Sequence, residues 1–522
     1  MKQASAWADA EAEGEEGKVS EPALPKQELA RCPRFKRVER GQSVFRAVVI
    51  EELIEKGHPA RAIWEFSGRL DLSGYGEAFK AVDGVAGREP WDVRLLMSLW
   101  IYAYSRGIGS AREIARRCEY DPAFQWLTGL EKINYHTLAD FRVGRGEALG
   151  QLFAQALGVL SAEGLVTLER VMHDGTKIQA WAGGDSFRRE GTLQAHLKAA
   201  REQVEAMGDP RQEATARERS ARERAISERA QRVSRALEQL KAIRAAKARA
   251  EAKSEARASE TDPEARMMKL GNGGYAPGYN VQITTDAAHG IVVGAGVSQS
   301  ASDYGELAGA MERVKENLGR KPAQAVVDGG FTSRENIVGM EQAGVELIGS
   351  LDEHNAQSAG QMRRRGVDEA FYPQAFQYDQ SADEYRCPAG KILRHDGGEK
   401  RVGVIQHQYR AAFADCAVCE WKARCCPGNQ TKGRAIRRAE ESPPVKAFIE
   451  KMRTATARAI YRLRGAVAEF PNAWIKAKLG LRQFHVRGKA KAQSECLWAC
   501  ITYNIQQWIR LRWRAGTLVG AG

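Results

Sequence analysis

Two aspartates, each placed after an apolar run and before a glycine, are the residues best suited to chemistry. Asp174 follows the run 171–173, and Asp328 follows the run 323–327. An Asp-Gly pair between apolar segments is most often only a turn. Two carboxylates brought together at a strand end or a mid-strand kink would instead repel each other, and a divalent cation is their natural partner. We expect both aspartates to end strands of one sheet, where they could support metal-assisted chemistry.

A later helix offers the third carboxylate that such a site needs. Arg462, Glu469 and Lys476 are separated by seven residues each, so they fall near one helical stripe with Tyr461 close by. A carboxylate flanked by cations suits a face that grips phosphate, although a salt-bridged surface helix gives the same pattern. Pro471 would kink or end a regular helix at this point.

A cysteine set lies between the second aspartate and this helix. Its Cys-x-x-Cys pair and two further thiols fit a four-thiolate structural zinc site, the alternative being reduced thiols that only pack. The ligands we name are Cys387, Cys416, Cys419 and Cys425, with Cys426 as a substitute for Cys425. The cysteines without ligand spacing are Cys32, Cys118, Cys496 and Cys500.

The composition favours a multidomain protein with a polyanionic partner. The chain has 522 residues, a hydrophobic fraction of 43% and a net charge of +13. Its isoelectric point is near 9.3, which makes nucleic acid the default partner. No apolar run approaches the ~18–20 residues of a membrane-spanning helix, and the acidic N-terminus is unlike a signal peptide. We therefore expect a cytoplasmic protein without a membrane partner.

The first part of the chain divides into an arm and a helical domain. Residues 1–33 are polar and predict a disordered arm, whereas residues 34–157 show helical periodicity. Pro90 opens one helix, Ser110 caps a second, and Asn134-Tyr135-His136-Thr137 begins a third. Two short helices around a turn could be a DNA-binding helix-turn-helix, or equally an ordinary bundle with a solvated basic face. The candidate DNA contacts are Arg112, Arg116, Arg117 and Arg142.

The middle of the chain predicts an α/β core interrupted by two insertions. Segments 158–185 and 266–350 alternate apolar strands and amphipathic helices in the order β-β-β-α-β-α-β, which indicates an α/β layer architecture. Residues 186–265 predict a charged helical hairpin that turns near residues 207–210 and packs along a narrow apolar seam. Residues 351–440 form the cysteine-bearing insertion, and residues 441–522 the C-terminal helices.

Taken together, these motifs resemble a bacterial insertion-sequence transposase of the DDE class, in the insertion-sequence-four-like superfamily. The resemblance covers most of the chain from about residue 34. The similar stretches are the helical segment with Pro90, residues 102–104, 110–114 and 136–142; the first-aspartate motif 173–177; the second-aspartate motif 327–333; and a Tyr, Arg, Glu, Lys signature at Tyr461, Arg464, Glu469 and Lys476.

The signature departs from the family pattern in one place. The family places three residues between its Arg and Glu, whereas four separate Arg464 from Glu469, and Arg462 has the better helical phase. Glu495 is the second choice for the third carboxylate. We prefer Glu469 because its spacing to Lys476 fits.

The resemblance implies a ribonuclease-H-like catalytic domain that transposes DNA. Asp174, Asp328 and Glu469 would hold two Mg²⁺ ions, or Mn²⁺, while Tyr461, Lys476 and an arginine position phosphates. The helical domain would bind terminal inverted repeats, and a homodimer would pair two element ends with target DNA in the bacterial nucleoid. The rivals are a ribonuclease-H-like nuclease without strand transfer and an inactive transposase-derived DNA-binding protein.

Overall fold

The computed structural model describes residues 43, 45, 47–76, 90–144, 146–206, 216–247, 254–351, 359–401, 404–428 and 431–514. The chain divides into a unit of residues 1–49 and a unit of residues 50–522, and the second unit contains all the described helices and strands. The predicted arm of residues 1–33 and the predicted turn at 207–210 lie outside the described residues.

The N-terminal part of this unit is helical, as its periodicity predicts. Its helices are α1 (Pro59–Ser67), α2 (Ser73–Gly76), α3 (Val93–Ser105), α4 (Ala111–Arg117), α5 (Pro122–Thr128), α6 (Tyr135–Val143) and α7 (Gly146–Ala162). Ser110 and Asn134 cap α4 and α6 as predicted, through hydrogen bonds from backbone N–H groups to their side-chain oxygens. The start of α3 was predicted at Pro90, but the helix begins three residues later because Asp92 accepts from the Arg94 N–H at 2.8 Å.

The strand that carries Asp174, β1 (Arg170–Gln179), leads directly into the charged insertion. The insertion comprises β2 (Phe187–Arg188), α8 (Glu190–Ala206), α9 (Ala216–Ala245) and β3 (Ala258–Ser259), and β2 pairs with β3 at its base. Leu193 on α8 and Val233 and Leu240 on α9 are buried together. The narrow apolar seam predicted for this hairpin is therefore present between its two helices.

A mixed sheet forms the centre of the unit. Its further elements are β4 (Arg266–Lys269), β5 (Tyr275–Asp286), β6 (Val292–Ser298), α10 (Leu307–Leu318), β7 (Gln324–Val326), α11 (Arg334–Gln342) and β8 (Glu346–Ile348). The strand order is β6-β5-β1-β7-β8, and β4 extends the β6 edge of β5. Strand β5 is antiparallel to β1 and β6, whereas β7 and β8 run parallel to β1. The predicted order β-β-β-α-β-α-β is found in β1, β5, β6, α10, β7, α11 and β8, and β4 is an additional strand that was not predicted.

A second, smaller sheet lies beside the cysteine set. It consists of β9 (Gln377–Asp379), β10 (Glu384–Arg386), β11 (Ile392–Arg401), β12 (Val404–Ala411) and β13 (Ala435–Ala439), in antiparallel order along the chain. Three short helices accompany it: α12 (Ala359–Arg364), α13 (Phe413–Ala417) and α14 (Lys422–Cys425). Tyr409 and Leu393 are buried in its own small core.

The C-terminal helices close the unit over the first sheet. They are α15 (Pro443–Arg453), α16 (Ala455–Arg462), a π-helical segment (Gly465–Glu469), α17 (Phe470–Ala477) and α18 (Lys489–Leu511). Helix α18 is buried along most of its length, and Asn504 exchanges two hydrogen bonds of 2.8 Å with the backbone of Val292 on β6. One hydrophobic core therefore joins the N-terminal helices, the sheet and α18.

Candidate active site

The two aspartates lie at the same level of neighbouring parallel strands. Met172 on β1 pairs with Val326 on β7, so Asp174 and Asp328, each two residues further on, face the same edge. Asp328 follows the end of β7, as predicted. Asp174 does not end a strand, because β1 continues to pair with β5 through Gln179 after it has parted from β7. The Asp174-Gly175 pair is therefore a mid-strand feature and not a turn.

The pKa of Asp174 reflects the nearby carboxylate of Asp328. Burial first, and then the negative charge of Asp328, raise the pKa of Asp174 to about 6, while Arg464 and hydrogen bonds from the Gly175 backbone and Asn472 oppose the rise. Both effects penalise the ionised form of Asp174. A cation placed between the carboxylates would remove this penalty.

Helix α17 and the π segment lie along β1 and present one helical stripe to it. Residues 468, 472 and 476 are four apart, and a helix rises about 6 Å over four residues, close to the advance of two strand residues. Successive residues of this stripe therefore lie beside alternate residues of β1. Ala468 packs beside Met172, Asn472 donates to Asp174, and Lys476 donates to Thr176.

A π segment lies between Arg464 and Glu469, where this chain has one residue more than the pattern it resembles. A π-helical turn holds one residue more than an α-helical turn and often occurs at functional sites. Here it brings Arg464 Nη2 to 3.5 Å from Glu469 Oε1, and Arg464 also acts electrostatically on Asp174. The argument that favoured Arg462 assumed a regular helix, and it fails because of the π turn; Arg462 is exposed on the preceding helix.

Glu469 and Tyr461 differ in their surroundings. The Glu469 side chain is 62% exposed, whereas Tyr461 packs partly buried beside Met172 and Val326. Within the described ranges, no three His, Cys, Asp or Glu side chains are arranged to hold a metal ion. The fold thus brings Asp174 and Asp328 together and leaves Glu469 on the helix beside them.

The described residues nevertheless fit a divalent cation at the aspartate pair. Carboxylate oxygens are the ligands that Mg²⁺ prefers. The side-chain oxygen of buried Asn472 has no hydrogen-bond partner among the described residues, although its amide nitrogen holds Asp174. A pair of repelling carboxylates beside an unpartnered buried oxygen is an environment that a cation would stabilise.

Three polar residues that sequence reasoning did not single out complete the site. They are Asn472, Thr176 and Asp303. Asn472 and Lys476 could have been linked to Asp174 and Thr176 through their matching spacing. Asp303 lies in the polar loop between β6 and α10, where no periodicity marks it.

The arginines proposed for DNA contact fall into two groups. Arg112 and Arg116 are exposed on α4, where Arg112 lies over the Tyr135 ring at 5.0 Å and Arg116 and Arg117 both pair with Glu113. Arg142 was placed in this set wrongly. It is buried, donates to the Gly109 carbonyl at 2.7 Å and lies over the Trp100 ring, so DNA cannot reach it.

Glu495, the second choice for the third carboxylate, has a structural position. It is fully buried and accepts hydrogen bonds from the backbone N–H of His485 at 2.8 Å and from Tyr104 at 3.3 Å. The His485 ring and the Arg142 guanidinium lie at 2.7 and 3.6 Å. These partners fix α18 against α3 and α6.

The named cysteines surround one small cavity beside the second sheet. The cavity has a volume of about 30 Å³ and is lined by Cys387, Cys416, Cys419, Cys425 and Cys426. The sulfur of Cys387 accepts from the Lys391 N–H at 3.3 Å, and burial raises the pKa of Cys425 to about 12. The predicted ligands are therefore neighbours, although the described sulfurs are not arranged as a ligand set.

Two stretches of the chain match family models of transposases. Residues 386–509 match the family model described as transposase DDE domain, and residues 48–143 match the transposase domain DUF772. No curated protein matches the chain. The two matches confirm the resemblance to insertion-sequence DDE transposases and support a DNA-processing enzyme. The first match includes Glu469 and the cysteine set, whereas Asp174 and Asp328 lie outside both matched stretches.

Proposed function

We propose that this chain transposes an insertion sequence by metal-assisted phosphoryl transfer at Asp174, Asp328 and Glu469. The observation that supports the proposal best is the placement of Asp174 and Asp328 side by side on neighbouring parallel strands. The transposase family matches at both ends of the unit agree with it. The sheet order β6-β5-β1-β7-β8, with helices between the parallel strands, supports a ribonuclease-H-like core.

Asp174, Asp328 and Glu469 are the ligands we propose for two Mg²⁺ ions, or Mn²⁺. When bound, such ions would activate the attacking hydroxyl and stabilise the leaving oxygen of an in-line displacement. The protein orients these carboxylates itself. Asn472 holds Asp174 by a hydrogen bond of 3.0 Å, and Arg464 restrains Glu469 at 3.5 Å.

Cations and a tyrosine on the C-terminal helices would position the DNA. Lys476 reaches Thr176, two residues beyond Asp174, and Arg464 acts on both Asp174 and Glu469. We propose that these two residues and Tyr461 hold phosphates next to the scissile bond, with Arg462 contacting DNA further out.

The N-terminal helices would recognise the terminal inverted repeats. Arg112, Arg116 and Arg117 lie together on α4, at the part of the chain that matches a transposase domain. Two copies of the chain would pair the two element ends with target DNA in the cytoplasm. Among the described helices, none is long and apolar enough to cross a membrane.

Zinc at the cysteine cavity is a separate, structural proposal. Cys387, Cys416, Cys419 and Cys425 would bind one Zn²⁺ and hold the second sheet to its short helices. Loss of this ion would destabilise residues 351–440 without changing the chemistry at Asp174.

The test of transposition is the joining of DNA, since cleavage alone would also fit a nuclease. Purified protein is incubated with Mg²⁺, labelled duplexes carrying the element ends, and a supercoiled target plasmid. We expect labelled 3′ ends to become covalently attached to the plasmid. Cleavage without joined product would show a nuclease, and binding with neither product would contradict the enzyme.

A further inference from the structure

The loop after β6 brings one more carboxylate, that of Asp303, behind the two aspartates. Strand β6 is antiparallel to β5, which is antiparallel to β1, so β6 ends at the same edge as β1 and β7. A Cβ atom on Gly175 would lie 2.6 Å from Asp303 Oδ1, and one on Gly330 would lie 3.9 Å from Asp303 Cβ. Asp303 therefore packs against the backbone next to both Asp174 and Asp328.

Three donors from the sheet converge on a single oxygen of Asp303. Its Oδ1 accepts from Asn280 Nδ2 at 2.7 Å, from Lys177 Nζ at 3.0 Å and from Gln282 Nε2 at 3.0 Å. In the β1–β5 register, Lys177 is opposite Asn280 and Gly175 is opposite Gln282, so these side chains share one face of the sheet. The carboxylate spans the two strands at the level of Gly175, which has no side chain to exclude it.

The side-chain amide of Gln282 links Asp303 to His173, the buried residue that precedes Asp174. Because Asp303 can only accept, it fixes the amide with the nitrogen outward and the oxygen toward His173 Nε2, at 2.9 Å. His173 Nε2 must then carry the proton. Its Nδ1 accepts from the Thr284 hydroxyl at 2.9 Å.

The far side of His173 contacts the loop that carries the second aspartate. Its ring meets the Phe331 ring edge-on, with centroids 4.7 Å apart, and both side chains are fully buried. Phe331 follows Gly330, whose backbone N–H donates to Asp328 Oδ1 at 2.8 Å. The contacts therefore run without a gap from Asp303 through Gln282 and His173 to the Asp328 loop.

We propose that Asp303 is a positioning residue that sets the spacing of Asp174 and Asp328, a role that rests on the proposed function of that pair. It acts from the opposite side of β1 to Asn472. It holds Gly175 and Gly330 from behind, anchors Lys177 and fixes the tautomer of His173. Its substitution changes the rate of the chemical step and leaves DNA-end binding intact.

The test compares the full-length wild-type protein with Asp303→Ala, Asp303→Asn and Glu312→Gln. Glu312 is the matched control, since it is an ion-paired acid on α10 whose partner, Lys321, lies at 2.6 Å and outside the network. For both Asp303 variants we expect single-turnover cleavage at least tenfold slower and element-end affinity within about twofold. Asp303→Ala should remain folded but melt at a lower temperature than wild type, because it leaves the buried Asn280 and Gln282 amides without their acceptor. Wild-type cleavage by a folded Asp303 variant would overturn the proposal.

A second measurement does not depend on activity. The ¹⁵N shifts of histidine-labelled protein distinguish the two neutral tautomers, and the His173 signal is assigned with His173→Gln. We expect the Nε2–H form in the wild type and a mixture or exchange of tautomers in Asp303→Ala. An unchanged His173 signal in Asp303→Ala would refute the hydrogen-bond chain from Asp303 to His173. An inactive wild-type protein with the expected shifts would count only against the proposed function.

Discussion

Asn472 donates a hydrogen bond to Oδ2 of Asp174 at 3.0 Å, although the two residues are 298 positions apart in the chain. The contact fixes α17 against β1, the strand that carries Asp174. It places Arg464, Glu469 and Lys476 around one edge of the sheet.

Removing this contact should slow the chemistry and spare DNA binding. Asn472→Ala deletes a hydrogen bond to a carboxylate, worth about 1.5–3 kcal/mol, so we expect cleavage to slow by about 10- to 100-fold. Single-turnover rates and end-binding affinity measure the two effects. Asn317→Ala, which removes a 3.0 Å bond to the Val293 carbonyl away from the site, is the control. Equal losses in both variants would show that Asn472 only supports the fold.

Substitutions of Glu469 and Glu495, the two candidates for the third carboxylate, should differ in their effect on the stability of the protein. Glu469→Gln changes an exposed residue. Its free energy of unfolding should therefore stay within about 0.5 kcal/mol of the wild-type value, while cleavage is lost. Glu495→Gln leaves the buried Arg142 without a negative partner, which should cost about 3–5 kcal/mol. Chemical denaturation and cleavage assays on both variants give the comparison. Full cleavage by Glu469→Gln would remove Glu469 from the triad.

The cysteine cavity should contain zinc in the purified protein. We expect about one Zn²⁺ per chain by elemental analysis, and its removal by a chelator should expose residues 351–440 to protease. Cys416→Ser should lose the metal, whereas Cys118→Ser, at a buried cysteine on the N-terminal side, should retain it. Zinc-free protein with a protease-resistant second sheet would contradict the site.

The charged hairpin should depend on its narrow seam. Leu240 is buried between α8 and α9, so Leu240→Ala should cost about 2–5 kcal/mol of local stability, measured as faster hydrogen exchange in both helices. Lys241→Ala, one residue further on and exposed, should leave exchange unchanged. The same exchange in both variants would mean that the helices do not depend on each other.

The sequence was sufficient for features that rest on local periodicity. Alternating apolar runs predicted the strands β5 to β8 and the helices between them, because each buries one face. Cap residues such as Ser110 located helix starts because their side chains accept hydrogen bonds from nearby backbone N–H groups. The sequence placed both aspartates in one sheet, but only the structure shows that their strands are parallel neighbours.

Features that depend on distant contacts could not be predicted in this way. Asp174 lies within a strand because β5 pairs with β1 beyond the Asp-Gly pair. Arg142 resembles a surface arginine in sequence, but α18 and α3 bury it. The π turn changes the helical phase at Glu469, and Asp303 stands in a loop without any pattern.

The most direct test of the central claim is metal-dependent cleavage by three proteins under identical conditions: wild type, Asp174→Asn and Asp328→Asn. Labelled duplexes carrying the element ends are incubated with Mg²⁺, and nicked products and bound complexes are quantified together. We predict that the wild-type protein nicks the ends and that both variants bind them with near-wild-type affinity without nicking. Nicking that persists in either variant would contradict the assignment of Asp174 and Asp328 as the metal-binding pair.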